Sequence, residues 1–379
     1  MGLQKSILAI ALGAAVSLPA LATNGHIPHG TGAPSKGMAG AGVAMVLDYL
    51  NGYNNPATLA HLDSGLDVSI SLFSPDRSYT ADNNAMSPPF AGFPPGTTKS
   101  DNDLFLIPAF AYNRKLNDST SIGISFVANG GMNTEYNKAV LAPFNNPGGM
   151  ATSPTGLVWE QIAVFIPFSH KLNERHSFGF APVLVYQRLE AKGLGPFKSF
   201  SYAPGSLTDQ GSDYSHGVGA SFGWLSQLSD RLSLGVSYRT KISMSRFEKY
   251  KGLLINGGEL DIPETFTIGI AYKATPKVTV AFDAQHIRYS DASAFSNEHN
   301  VLFTPGSTLL GTPDAIGFGW DDTTVLKLGV QWQYSPTLTL RAGFSHILDQ
   351  IIPESAGLFN ILAPARLFAI ISVLDLAKR

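Results

Sequence analysis

The 379-residue chain contains no cysteine. No disulfide holds it together, and thiolate metal sites and cysteine nucleophiles are excluded with the disulfides. Charge is scarce too: Asp, Glu, Lys and Arg make up 14% of the residues, against roughly 25% in an average soluble domain. The formal net charge of −2 leaves no basic excess for nucleic acid, which calls for a basic stripe. Beyond residue 22 no apolar run approaches the roughly 18 residues that a membrane-crossing helix needs. No zinc-protease HExxH occurs, and Gly37, Gly40 and Gly42 follow no strand, so they are not a dinucleotide fingerprint. The sequence therefore calls for no cofactor, no metal and no nucleic acid.

What is present begins at the N-terminus. Met1 to Lys5 is a short basic start, Ile7 to Leu18 an apolar run of 12 residues, and Ala20-Leu21-Ala22 an A-x-A cleavage signal. Residues 1–22 read as a secretory signal peptide, too short to span a membrane. Its removal near Thr23 takes away Lys5, leaving 25 basic against 28 acidic residues, or −3.

The rest of the chain alternates. Leu232, Leu234, Val236 and Tyr238 interleave with Ser233, Gly235, Ser237 and Arg239. Phe266, Ile268, Ile270 and Tyr272 do the same with Thr267, Gly269, Ala271 and Lys273, and Leu326 to Tyr334 and Leu338 to Phe344 repeat the pattern. Period two is the strand period. Eleven strands are expected, near 66–73, 103–113, 119–127, 157–168, 176–189, 214–228, 231–242, 264–273, 276–288, 323–335 and 337–347. Short connections carrying turn residues (Asn117-Asp118, Asn173-Glu174, Ser229-Asp230, Thr275-Pro276, Ser335-Pro336) alternate with long ones. A low-charge exported chain without helical spans, built this way, is all-β: a transmembrane antiparallel β-barrel with short periplasmic turns and long outer loops. Leu232, Leu234, Ile268, Leu328, Val330 and Leu340 should face lipid. Tyr238, Tyr272, Trp332 and Tyr334 should form interfacial girdles.

Residues 23–65 lack that alternation and are rich in Gly, Ala, Asn and Pro. They are expected to fold as a plug in the lumen, with a short helix over Met38 to Leu50. The barrel should then occupy 66–363, and 364–379 form an atypical tail. Phe90 and Phe93 on the first long loop are candidates for an apolar landing groove. Arg239, Lys273, Lys327 and Arg341 should point inward, where one of them could anchor a ligand carboxylate by a charge-assisted bond; a solvated lumen charge is the plainer reading. Gly219-Ala220-Ser221-Phe222-Gly223 matches G-x-S-x-G, but alternation continues on both sides, where a nucleophile elbow needs a strand-turn-helix. His26 and His29 read as polar residues of the plug, not as metal ligands.

Specific residues resemble a known family. Ser35-Lys36-Gly37-Met38-Ala39-Gly40-Ala41-Gly42, followed by Asn55-Pro56-Ala57, resembles the N-terminal hatch of the FadL/TodX outer-membrane transporters. Asn129-Gly130-Gly131-Met132-Asn133-Thr134-Glu135-Tyr136 resembles the part of that family's third strand where it bends. Leu260 to Glu264, Arg341 to Phe344 and Ile352-Pro353-Glu354 resemble later markers. The likeness covers about 23–363. It implies a fourteen-stranded monomeric barrel set in outer-membrane lipid and lipopolysaccharide, inserted by the barrel-insertion machinery. It also implies passive uptake of long-chain fatty acids or hydrocarbons, with a lateral exit at the kink, where Gly130 and Gly131 stand beside Asn129 and where Asn55, Pro56 and Ala57 pack. The eleven readable strands are three short of the family's number, and Ala365 to Arg379 departs from its ending, which reads as a truncated or frameshifted copy.

The expected function is therefore a channel for hydrophobic small molecules, not an enzyme. The alternatives are a non-transporting surface barrel or inactive remnant, a barrel lipase or acyltransferase, which the spacing of Ser, His and Asp does not suggest, and a general porin, which a plug would block.

Overall fold

Alternation along the chain becomes a single large antiparallel sheet. In a computed structural model the described residues are 23–81, 95–299, 308–348 and Leu358. Residues 1–22, Phe90, Phe93 and 364–379, on which some expectations fall, lie outside the described residues. The chain starts with a hairpin of β1 (Thr23–Asn24) and β2 (Ile27–Pro28), the helix α1 (Gly32–Gly37), and two 3-10 turns, Tyr49–Tyr53 and Pro56–His61. Strand β3 (Gly65–Phe73) follows, then a small outer hairpin of β4 (Ser78–Ala81) and β5 (Gly96–Lys99). The remaining strands are β6 (Phe105–Asn117), β7 (Thr120–Tyr136), β8 (Thr155–Phe165), β9 (Phe168–Lys171), β10 (His176–Lys192), β11 (Asp213–Gln227), β12 (Leu232–Arg239), β13 (Thr265–Thr275), β14 (Val278–Ile287), β15 (Thr323–Ser335) and β16 (Leu338–Ile347). Each pairs with its sequence neighbour, in the order β16 to β10, then β8, β7, β6 and β3. Strand β9 continues β8 past Ile166-Pro167, since both pair with β7 and β10. Among the described residues the sheet therefore has eleven staves, at the places the alternation marks.

The two faces are inverted relative to a soluble sandwich. Ile268, Ile270, Leu328 and Val330 are 37–45% exposed, whereas Gly269, Ala271, Lys327 and Gly329 between them are buried. Apolar side chains look outward and small or polar ones inward, as a lipid-facing wall requires. Tyr272, Trp332 and Tyr334 are exposed at the short-turn end. Tyr186 and Tyr214 stack at 5.5 Å toward the long-loop end.

The buried face carries the N-terminal segment. Tyr49 N donates to Asp67 of β3, Asn113 of β6 donates to the Leu59 carbonyl, and Gly42 N donates to Asp283 of β14. A side chain at Gly235 or Gly343 would collide with the backbone of Val43 or Met38, so these glycines let the segment lie directly on the wall. The expected helix over Met38 to Leu50 is not there; the helix is α1, one turn earlier. Ala39 (φ 52°), Gly40 (φ 81°) and Gly42 (φ 147°) take left-handed backbone, which ends a right-handed helix. Above the segment, the long loops bury their own apolar cluster, including Phe144, Phe197, Phe247, Tyr250, Phe295 and Trp320.

Candidate functional site: a parting in the wall and the segment behind it

Strand β7 bends in its middle. Its register with β8 runs through Ala128↔Ile162 and resumes at Gly130↔Gln161, leaving Asn129 as the extra residue of a bulge. Bulges bend and twist a strand locally. Gly131 sits at φ +152° with its Cα face against the Trp159 carbonyl, a position that excludes larger residues.

On its other edge β7 leaves β6. The β6–β7 ladder ends at Ala109↔Val127. Beyond it β6 continues to Phe105 paired only with β3, and β7 continues to Tyr136 paired only with β8. The next residue of β6 is Pro108, which has no N–H for a ladder. The two staves therefore part from Ala128 outward. At the parting, Gly131 N donates to the carbonyl of His26, at 3.2 Å. Farther out, Arg77 donates to the Asn133 carbonyl and lies over the Phe73 and Phe105 rings at 5.8 and 5.3 Å. Burial pushes the Arg77 pKa down to about 10, which leaves it charged at neutral pH. Asn102 Nδ2 donates to Asn133 Oδ1 at 2.6 Å, tying the outer loop to the same edge.

The residues singled out in the sequence divide into those that meet here and those that do not. Asn129, Gly130 and Gly131 form the bend. Asn55, Pro56 and Ala57 make their contacts elsewhere. Asn55 caps its own 3-10 turn by accepting from Ala57 N at 3.0 Å. Its Nδ2 donates to the carbonyls of Val43 and Trp224 at 2.8 and 3.1 Å. Ser169 and Ser177 both donate to the Ala57 carbonyl at 3.0 Å. The Asn-Pro-Ala turn thus docks on β9, β10 and β11, because Gly179 and Gly223 leave room for it there. The bend is met instead by Tyr53, whose hydroxyl lies 3.5 Å from Asn129 Oδ1, and by His26.

Arg239 joins this group. Its guanidinium lies over the rings of Tyr53 (4.3 Å) and Phe165 (4.9 Å) and donates to the Tyr53 carbonyl and Asn129 Oδ1 at 3.1 and 3.3 Å. Lys327 is buried and reaches the His29 carbonyl at 3.4 Å. Arg341 donates to Gln331 at 2.8 Å beside Gly37. Lys273 does not belong with them: it is exposed at the short-turn end of β13, where alternation alone says nothing of depth. Arg239, Lys327 and Asp283 share a cavity of about 30 Å³ with Tyr53, Gln285 and Thr267; it suits ordered water, not an acyl chain. Ser221 of the G-x-S-x-G stretch lies inside β11, paired on both sides, so no elbow forms. Pro108 drew no attention in the sequence, although a proline inside an alternating strand is the available signal. His26, expected as a polar residue of the plug, is buried among aromatic rings at the bend, a placement that nothing local marks.

Comparison with known proteins follows the same lines. Residues 13–350 match the family described as outer membrane protein transport protein (OMPP1/FadL/TodX). An outer membrane protein of Neisseria meningitidis serogroup B is 25% identical over 90% of this chain and 80% of its own length. The crystal structure of the Pseudomonas putida toluene transporter TodX superimposes with a TM-score of 0.59, at 19% identity, covering 87% of this chain and 86% of that one. A FadL homologue from Pseudomonas aeruginosa gives a TM-score of 0.57 at 18% identity, covering 88% and 83%. With the outward apolar face and the strand order, these matches make the protein an outer-membrane β-barrel, and the chain belongs to the OMPP1/FadL/TodX family of outer membrane transport proteins.

Proposed function

We propose that the protein takes up hydrophobic small molecules, long-chain fatty acids or hydrocarbons, and releases them sideways into the membrane between β6 and β7. The carrying observation is the parting beyond Ala109↔Val127, where β6 and β7 both run on as strands without sharing a ladder. The N-terminal segment supports it from the other side. Packed on β3, β6, β7, β14 and their neighbours, it acts as a plug and leaves the lumen unsuited to a straight aqueous route. An apolar solute gains from a side exit because it passes from an apolar cluster to lipid without crossing water. Among the solved relatives is a toluene transporter, and toluene is an apolar cargo. On this reading the protein works as a monomer, surrounded by lipopolysaccharide.

Tethering the two staves tests it. The chain has no cysteine of its own, so Pro108→Cys with Ala128→Cys places two unique thiols on the residues that would pair next if the ladder continued. In cells lacking their own transporter, bridging these thiols with a short bifunctional reagent should slow uptake of a radiolabelled apolar substrate several-fold, and a cleavable bridge should restore it. Unchanged uptake by the bridged protein would remove the side exit.

A further inference from the structure

The tip of the first hairpin is placed unusually for a polar residue. Thr23–Asn24 and Ile27–Pro28 are joined by Gly25 and His26, with Gly25 at φ +66°. His26 is 2% exposed, and among the described residues neither ring nitrogen has a hydrogen-bond partner. Its ring stacks on Phe295 at 4.9 Å and 10°, and packs against Trp159 at 5.1 Å and Tyr289 at 5.9 Å. Its backbone carbonyl, meanwhile, accepts the Gly131 N–H at the bend of β7. A side chain on Gly130 would strike that carbonyl and the His26 ring. One residue of the N-terminal segment therefore fills the inner side of the parting and is held there by stacking.

We propose that the Thr23–Pro28 hairpin is an acid-releasable latch on the parting, with His26 as its trigger. This rests on the side-exit reading of the wall. As a neutral ring His26 fits its aromatic surroundings. As an imidazolium it carries two buried N–H donors that, among the described residues, have no hydrogen-bond partner, which favours withdrawal of the hairpin into water. The ring faces return part of that loss by cation–π attraction, but not the lost hydration.

Among the described residues no charge packed against the ring offsets this. Tyr289 is the titratable side chain packed against the ring. Its hydroxyl donates to the Asn24 carbonyl at 2.9 Å, and burial holds it un-ionised. Trp159 of β8, Phe295 of the outer loop and Gly130 of β7 bring no charge. Lys327 touches the segment three residues on, at the His29 carbonyl, and Asp283 accepts from Gly42 and Val43.

Burial pushes the His26 pKa from its ordinary 6.5 down to about 3 while the latch is closed. A base with a lowered pKa in the packed state favours that state above 6.5 and loses the advantage as pH falls toward 3. Between pH 7 and pH 5 the open fraction of the latch should rise about 25-fold.

Single cysteines read this directly. Ile27→Cys places a thiol in the latch, buried when closed, and Asp230→Cys in an exposed turn corrects for the pH dependence of the thiol itself. In the purified, folded full-length protein, labelling of Cys-substituted position 27 relative to position 230 should rise about 25-fold from pH 7 to pH 5. In the His26→Phe background, which keeps a stacked ring but cannot take a proton, the ratio should stay flat. An equal rise in the His26→Phe protein, or no rise in the parent, would overturn the proposal. The measurement involves no substrate and no flux, so it stands or falls separately from uptake.

Discussion

A single carboxylate fixes the middle of the N-terminal segment. Asp283 is 1% exposed, and its Oδ2 accepts the N–H groups of Gly42 and Val43 at 2.7 and 2.9 Å. Such a left-handed turn bares adjacent N–H groups, and an anion satisfies both at once. Asp283→Ala leaves two donors buried without partners, at about 1–3 kcal/mol each. Amide exchange at Gly42 and Val43 should then speed up by about 10- to 100-fold, while the barrel keeps its folded, heat-modifiable migration on a gel. Exchange unchanged at these two amides would show that the carboxylate does not hold the segment. At this scale the sequence is only partly readable. Arg239, Lys327 and Arg341 were found because alternation assigns a face. Asp283 obeys the same alternation, but what it binds comes from 240 residues away and leaves no local trace.

At the scale of elements, the staves were legible and their separation only half so. Period two and turn residues mark all eleven staves, because each strand's side chains meet lipid and lumen by turns wherever its neighbours lie. Gly130-Gly131 marks the bend for the same local reason, a backbone demand. Where Asn55 docks is a different matter. Asn55-Pro56-Ala57 specifies a capped turn, and the partner it packs on is set by which inward glycines lie within reach, here Gly179 and Gly223. The misplaced helix over Met38 to Leu50 has a related cause: residue composition permits it, and the left-handed turn at Ala39 to Gly42 forbids it.

The bulge makes an element-scale prediction. Deleting Asn129 keeps the Gly130↔Gln161 pair with β8 but removes the extra residue that bends β7. A straighter β7 should follow β6 past Val127 and narrow the parting. Uptake should fall several-fold, with the amount of folded protein in the outer membrane unchanged. Asn129→Ala removes the contacts to Arg239 and Gln161 but keeps the bulge, and should retain more uptake than the deletion. Equal loss in both would assign the effect to the side chain instead.

At the scale of the whole molecule, the edges of the sheet set the remaining question of energetics. Among the described residues β3 pairs only with β6, and β16 only with β15. The eleven described staves, being antiparallel, also make β3 and β16 run in the same direction, so they would be parallel if they met, whereas bacterial barrels close on an even number. Helix α1 packs against both edges, which covers part of the seam from within. It does not hydrogen-bond along it as a strand would. The outward side chains of β3 show the consequence: Leu66, Val68, Ile70 and Leu72 are 58–72% exposed, against 37–46% for Leu184, Val330 and Leu328 on inner staves. An unpaired N–H or C=O facing lipid costs several kcal/mol, so an edge draws water or another strand. In detergent micelles, amides in 65–73 and 338–347 should therefore exchange about 10- to 100-fold faster than those in 278–287, which is paired on both sides. Hydrogen exchange read by mass spectrometry on peptides from these three stretches decides it. Equal protection would mean that both edges are covered along their length, and α1 would then be a filler of the lumen and no longer the bridge of the seam.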